Sequence, residues 1–273
     1  LCVRIMIESG VLPKGALQLV CGGIGDTLSQ LTSQDVVSFT GSASTAIHLR
    51  SQSHLIENSI RFIAEQDSLN ASILGPDAAP GSPEFDLFAK EVRREMITKA
   101  GQKCTAIRRI FVPQAHLNPM IETLKTQLAS TSVGDPRLSE IDMGALVSNA
   151  QMRDVLEKAS LIGRQAERVF GDPDNFDVIG TEVDNGAFVP PMLFYCPDPD
   201  TAENVHDTEV FGPVSTIMAY RDIDHAIKLA NRGQGSLVAS VITNAPEVAR
   251  QAVLGAGAFH GRLYFNNRKS MQE

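Results

Sequence analysis

The sequence carries no surplus of positive charge. Its 24 lysines and arginines face 32 aspartates and glutamates, giving a formal net charge of −8 and a pI near 5.3. That balance excludes nucleic acid as a main partner, because such binding rests on basic surface that displaces counterions. It leaves room for a local basic pocket that takes a phosphorylated cofactor. Also missing is any apolar run approaching the roughly 18 residues that span a bilayer, and no basic, apolar, small-residue leader opens the chain. A soluble, cytoplasmic protein with no membrane partner is expected. The four cysteines, Cys2, Cys21, Cys104 and Cys196, form no C-x-x-C pair and no Cys/His cluster at zinc spacing. No metal site is expected, and each cysteine reads as a buried small hydrophobe or as a reactive thiol. Internal repeats and low-complexity tracts are absent as well.

What remains is a globular composition, 43% hydrophobic and 21% charged over 273 residues. That length suits one large or two ordinary domains of about 100 to 200 residues each. Short apolar runs rich in β-branched residues alternate with helix-period segments, the pattern of βα units around a largely parallel sheet. Strands are expected at 17–21, 36–39, 60–64, 107–112, 214–220, 237–243 and 262–266. Helices are expected at 43–51, 84–99, 117–130, 149–164, 223–231 and 246–254, with Gly101 as a left-handed cap after the second. Residues 75–83, GPDAAPGSP, are the most loop-like stretch. The first nine residues are helical in pattern but lack an N-cap, and the chain stops soon after a final strand. A slice of a longer protein is expected.

Four places carry candidate chemistry. Residues 36–42, VVSFTGS, read as a strand, a turn and a helix start, where Gly41 lets a ligand approach the backbone and Ser42 offers a hydroxyl. The same letters also suit a plain capping turn. Glu65 ends an apolar strand at the edge where open parallel sheets bind ligands, though many strands end in a solvated glutamate. Residues 99–106, KAGQKCTA, put Cys104 in a glycine-containing turn with Lys103, Arg108 and Arg109 nearby, and cations favour thiolate over thiol. Residues 209–213, EVFGP, offer the Glu209 carboxylate for sugar hydroxyls and the Phe211 ring for a flat ligand, or simply a turn. Cys2, Cys21 and Cys196 lie in apolar surroundings and read as buried structural residues. The six histidines show no triad or metal spacing.

FTGS, Glu65, GQKC and EVFGP occur in the order and approximate spacing of the aldehyde dehydrogenase superfamily, which the chain resembles over essentially all 273 residues. The resemblance implies an α/β fold with part of a Rossmann-type NAD(P)-binding domain over 1–66. An α/β catalytic domain, truncated on its C-terminal side, follows over 67–273. Cys104 is then the nucleophile, with its backbone N–H helping to hold the oxyanion, and Glu65 the base that activates water, a role served by partial burial. Gly41 and Ser42 meet the cofactor pyrophosphate, Glu209 holds the nicotinamide ribose, and Phe211 packs near the ring. Departures narrow the branch. Ordinary members follow the glutamate with Leu-Gly-Gly-Lys, whereas Glu65 is followed by Gln66, Asp67, Ser68, Leu69 and Asn70, and Cys104 comes 39 residues after Glu65, a slightly wider interval than usual.

The segments AEQDSLNASILGPD and VHDTEVFGPV resemble the branch that oxidises CoA-linked semialdehydes in aerobic phenylacetate or benzoate degradation. That implies NADP, with NAD as the other choice, a homo-oligomer, and a possible fusion to an enoyl-CoA hydratase-like domain. A CoA-acylating dehydrogenase and a non-catalytic nucleotide-binding homologue remain the competing readings. The family's oxyanion-hole asparagine and cofactor-binding lysine belong upstream of residue 1, so these 273 residues alone are expected to show little turnover.

Overall fold

The computed structural model describes residues 1–269, and the chain divides into two compact units, Leu1–Asp67 and Ser68–Glu273. The first holds α1 (Cys2–Glu8), β1 (Val36–Thr40), α2 (Ala43–Arg50), α3 (Ser53–Glu57) and β2 (Arg61–Glu65). Its two strands run parallel, with Thr40 opposite Glu65. Leu1 stands at the N-cap of α1 and offers no side-chain cap, as its sequence implies.

Residues 17–21 do not form the expected strand. The sheet of this unit contains β1 and β2 alone, and Leu19 and Val20 are exposed. An apolar run with no neighbouring ladder has no partner for its backbone groups and gains nothing from an extended conformation. Cys2 and Cys21 are likewise exposed, against the expectation of burial, and of the four thiols only Cys196 is enclosed. Apolar neighbours in sequence bury a cysteine only when the element they form packs against another layer, and α1 has no buried residue.

The second unit is a seven-stranded sheet flanked by helices. In chain order it comprises β3 (Ala71–Leu74), α4 (Pro83–Ile97), β4 (Arg109–Pro113), α5 (Leu117–Ala129), α6 (Asn149–Ile162), β5 (Glu167–Phe170) and β6 (Met192–Cys196). Then come α7 (Asn204–Asp207), β7 (Val214–Tyr220), α8 (Ile223–Asn231), β8 (Val238–Ile242), α9 (Pro246–Ala256) and β9 (Arg262–Asn266). The strand order is β5-β6-β7-β4-β3-β8-β9, parallel throughout except for the antiparallel β5-β6 pair.

α4 shows how sequence builds this layer. Ser82 caps it by accepting from the Phe85 N–H at 3.2 Å, and Pro83 occupies the first turn, where a missing N–H costs nothing. Phe85, Phe88, Ala89, Val92 and Met96 recur at helical spacing and are all buried. Each large apolar side chain so enclosed contributes roughly 1.5–3 kcal/mol. β3, β5 and β6 escape the sequence reading because they are short or fully buried, so they show no alternation.

The register fixes what lies where. Ala71 of β3 sits beside Arg109 of β4 and Ala239 of β8, and Arg109 sits beside Thr216 of β7. The segments that lead into these four strands, 68–70, 101–108, 209–213 and 236–237, are therefore gathered at the amino edge of the sheet. Strand β4 begins at Arg109 and not at 107, because the N–H groups of Arg108 and Arg109 both turn to the Asn70 carbonyl at 3.1 Å. Among the described residues no helix is long and apolar enough to cross a membrane.

Candidate active site

Cys104 is exposed on a turn between α4 and β4. The turn begins with three successive residues in the left-handed region, Lys99 (φ 54°), Ala100 (φ 52°) and Gly101 (φ 68°). Gly101 is needed there twice over. Its backbone conformation disfavours a side chain, and a Cβ would stand 2.1 Å from the Gly212 carbonyl oxygen. The Cys104 turn is thus pressed backbone to backbone against the turn that carries Glu209 and Phe211.

Two buried side chains hold the turn from below. The Asn70 amide donates to the carbonyls of Cys104 at 2.8 Å and Ala106 at 2.9 Å. Its Oδ1 accepts from the Ser68 hydroxyl at 2.7 Å and the Val238 N–H at 2.9 Å, so its orientation is determined on both sides. The Arg108 guanidinium donates to the carbonyls of Gly101 and Gly212, both at 2.8 Å, and to that of Lys103 at 3.3 Å. It lies 5.5 Å from the centroid of the Phe211 ring. Its Nε stands 3.5 Å from Glu209 Oε1, with the two side chains 4% and 6% exposed. Burial pushes the Arg108 pKa down, and the Glu209 carboxylate opposes that shift.

Behind this layer lies Arg109, fully enclosed. It donates to the carbonyls of Leu69, Leu229 and Ala230 at 2.6–3.0 Å and to His206 Nδ1 at 3.0 Å. Burial lowers its pKa to about 9, which leaves it charged at neutral pH. A guanidinium only donates, so Nδ1 of His206 accepts and its Nε2–H goes to the Pro199 carbonyl at 3.0 Å. That arrangement needs the neutral ring, and burial, reinforced by Arg109, lowers the His206 pKa to about 3.

The three cations near Cys104 in sequence are therefore committed elsewhere: Lys103 pairs with Glu95 at 2.7 Å, Arg108 with Glu209 and the carbonyls, and Arg109 with its own cluster. Glu209 is more enclosed than a turn residue suggests, since its carboxylate also accepts from the Ser68 N–H at 3.2 Å. Phe211 is half-buried, and its carbonyl accepts from Gln151 at 3.0 Å. Cys196 lies inside β6, and burial pushes its thiol pKa up, the opposite of what a nucleophile needs.

In the first unit, Gly41, Ser42 and Glu65 come together. The Gly41 N–H donates to the Glu65 carbonyl at 3.1 Å, the Gly41 Cα is covered by the Phe39 ring, and the Ser42 hydroxyl caps α2 by accepting from Thr45. Glu65 itself is exposed, against the partial burial expected of a base. A helix start carrying a hydroxyl such as Ser42 is of the kind that suits a phosphate. Asp67 complicates that fit, because its carboxylate already accepts from the Ala43 N–H at 2.9 Å. Among the described residues no group of three or more histidine, cysteine or acidic side chains could hold a metal ion.

Sequence reading gave no site role to Ser68 or Asn70, and it took Arg108 as a cation beside the Cys104 thiol, not as a holder of the turn backbone. The only trace of the first two is a pair of small polar residues just ahead of the apolar ASIL strand, and the local sequence does not show the partners of Arg108, which lie up to 104 residues away.

A family model described as the aldehyde dehydrogenase family matches residues 1–272. The 3,4-dehydroadipyl-CoA semialdehyde dehydrogenase of Aromatoleum evansii is 45% identical over 96% of this chain and 51% of its own length. Protein MaoC of Klebsiella aerogenes is 42% identical over 48% of this chain and 38% of its own length. Among solved structures, betaine aldehyde dehydrogenase of Staphylococcus aureus, crystallised with NAD+, superposes with a TM-score of 0.84 at 23% identity, covering 97% of this chain and 50% of that one. The chain spans about half the length of the curated full-length dehydrogenase it matches.

Proposed function

The chain belongs to the aldehyde dehydrogenase family, and on that premise we propose that the protein carrying it oxidises an aldehyde to a carboxylic acid through a thioester on Cys104. The aldehyde is a CoA-linked semialdehyde from aerobic aromatic degradation. The CoA-linked semialdehyde is supported by the similarity to a relative named for one, and the pathway by the segments that follow Glu65 and precede Glu209. The observation that carries the reading is the exposed Cys104 thiol on a turn whose backbone is fixed by buried side chains.

In this scheme Cys104 Sγ adds to the aldehyde carbon, and the Cys104 N–H faces the oxygen that gains negative charge. A nicotinamide cofactor supplies the hydride acceptor. Glu65 then takes a proton from the water that cleaves the thioester, releasing the acid and restoring the thiol. Residues 1–66 belong to the cofactor-binding domain and 67–273 to the catalytic domain. Gly41 and Ser42 serve the cofactor phosphates, Glu209 the nicotinamide ribose and Phe211 the ring. NADP is the preferred cofactor, inferred from the branch. The parent protein is a homo-oligomer, and the similarity to Protein MaoC supports a fused hydratase-like domain.

The test uses the whole protein carrying this chain, with NADP or NAD and a CoA-linked semialdehyde. Cys104→Ser is expected to abolish reduction of the cofactor. Glu65→Gln is expected to accumulate acyl-enzyme on Cys104, visible by intact mass, and to slow acid release by about 10²–10⁴-fold, the span of general-base catalysis. Full turnover by Cys104→Ser overturns the reading, and unchanged turnover by Glu65→Gln removes the hydrolytic half.

A further inference from the structure

We infer that Arg108 is a positioning residue that sets the direction of the Cys104 backbone N–H by holding the Lys103 carbonyl. The inference rests on the proposed role of Cys104 and assigns that role a support that the family motifs do not include.

The argument begins with peptide geometry. The carbonyl of Lys103 and the N–H of Cys104 belong to one planar unit and point in opposite directions. Whatever fixes the carbonyl therefore fixes the N–H. The Lys103 carbonyl accepts from Arg108 Nη2 at 3.3 Å and from the Ala106 N–H at 3.1 Å. The same Nη2 takes the Gly101 carbonyl at 2.8 Å, two peptides earlier, and Nη1 takes the Gly212 carbonyl at 2.8 Å across the turn. The next peptide, from Cys104 to Thr105, is held by Asn70. Cys104 is thus flanked by two peptide planes, one tied to Arg108 and the other to Asn70.

Arg108 suits this task and a lysine would not. Three carbonyls at the corners of a fork match a planar guanidinium, whereas an ammonium is a point charge on a flexible stem. The guanidinium is itself immobilised: it is 4% exposed, it faces Glu209 at 3.5 Å, and it lies over the Phe211 ring. A side chain held on three sides transmits its own fixed orientation to the backbone it contacts. Because Gly101 and Gly212 are in van der Waals contact, with no room for a Cβ between them, a shift of either turn moves the other.

The experiment compares Arg108→Gln and Arg108→Lys with wild type in the whole protein, alongside Phe88→Leu, a core variant remote in sequence that controls for lost stability. Readouts are kcat, KM for the aldehyde, and the rate of Cys104 alkylation by iodoacetamide, mapped by peptide mass. Loss of one oxyanion donor costs about 10²–10³-fold in kcat where it has been removed outright, so a misdirected N–H is expected to cost at least about ten-fold. KM should stay within about three-fold, since the ground state gains little from that donor. Arg108→Lys, which keeps the charge, should fail to restore kcat.

Three results overturn the inference: kcat within about two-fold of wild type in Arg108→Gln, full recovery in Arg108→Lys, or an equal kcat loss in Phe88→Leu at matched stability. If Arg108→Gln does not fold, Arg108→Lys decides alone. Alkylation separates this inference from the functional reading. Should Cys104→Ser retain turnover, the reading falls, yet a several-fold change in the alkylation rate of Cys104 still supports the positioning role of Arg108, and an unchanged rate overturns it.

Discussion

The side-chain amide of Asn70 donates to the carbonyl of Cys104 at 2.8 Å, and the same nitrogen reaches the Ala106 carbonyl at 2.9 Å. One buried residue at the entry to β3 thereby closes the turn that precedes β4. Replacing Asn70 with Ala strands two carbonyls together with the Ser68 hydroxyl and the Val238 N–H. A buried polar group left without its partner costs about 1–3 kcal/mol, so Asn70→Ala should lose at least about 2 kcal/mol by denaturant unfolding. Asn70→Asp keeps the acceptor side but sets a carboxylate oxygen against the Cys104 and Ala106 carbonyls, so it should lose at least as much as Asn70→Ala.

Gly101→Ala should be costly in a different way. At φ 68° a side chain pays about 1–2 kcal/mol for the left-handed backbone, and the added Cβ meets the Gly212 carbonyl oxygen at 2.1 Å, adding an overpacking cost of about 1–3 kcal/mol. The contact is backbone to backbone and no rotamer relieves it. Urea unfolding should show the loss, and peptide mapping should show an altered rate of alkylation at Cys104. A neutral Gly101→Ala would mean that the two turns separate freely.

Asp67→Asn should improve cofactor binding. The Asp67 carboxylate occupies the Ala43 N–H at the start of α2, where the proposed pyrophosphate is also placed. Removing a charge of the phosphate's own sign near a helix N-terminus is worth about 0.3–1 kcal/mol, a fall of roughly two- to five-fold in cofactor KM. Initial-rate kinetics against cofactor concentration measure it. An increased KM would mean that Asp67 supports the phosphate site by holding the helix start.

Acid should weaken the second unit through His206. Its pKa falls from 6.5 to about 3 in the folded state, so between those values the unfolded chain binds a proton that the folded chain refuses. Its contribution is complete above pH 6.5 and is lost as pH drops toward 3, at up to about 1.4 kcal/mol per pH unit. His260, lowered to about 4 by burial and Arg109, acts in the same direction. Thermal melting should therefore decline from pH 6.5 to 4.5, above the range where most carboxylates titrate. His206→Asn, which has no such proton to gain, should flatten the decline.

The longer helices were legible because their signals are local, whereas the one-turn helices α3 and α7 are too short to show a period. α8 is found at its predicted bounds, since Asp222 supplies the cap and the apolar stripe runs without a break. The candidate residues could be singled out through their neighbours: Gly41, Cys104 and Glu209 each stand in a recognisable phrase. What stayed hidden is what acts over distance. Asn70 and Arg108 matter because the sheet brings 70, 104, 212 and 238 to one edge, and no window of sequence contains all four. The strand expected at 17–21 failed for the same reason, since an apolar run is a strand only if something lies beside it.

Strand order has a further meaning for how the molecule is made. β3 lies between β4 and β8, and its pairing with β8 joins residues 71–74 to 239–242. Ser68 and Asn70, just ahead of it, take the Leu237 and Val238 N–H groups, across 169 and 168 residues. Contacts so far apart in sequence form late, because closing so long a loop costs entropy before the contact repays it. During synthesis from the N-terminus, the supports of the Cys104 turn are therefore completed only after residue 238 has emerged. Until then the Cys104 turn rests on an Asn70 side chain that Val238 has not yet oriented.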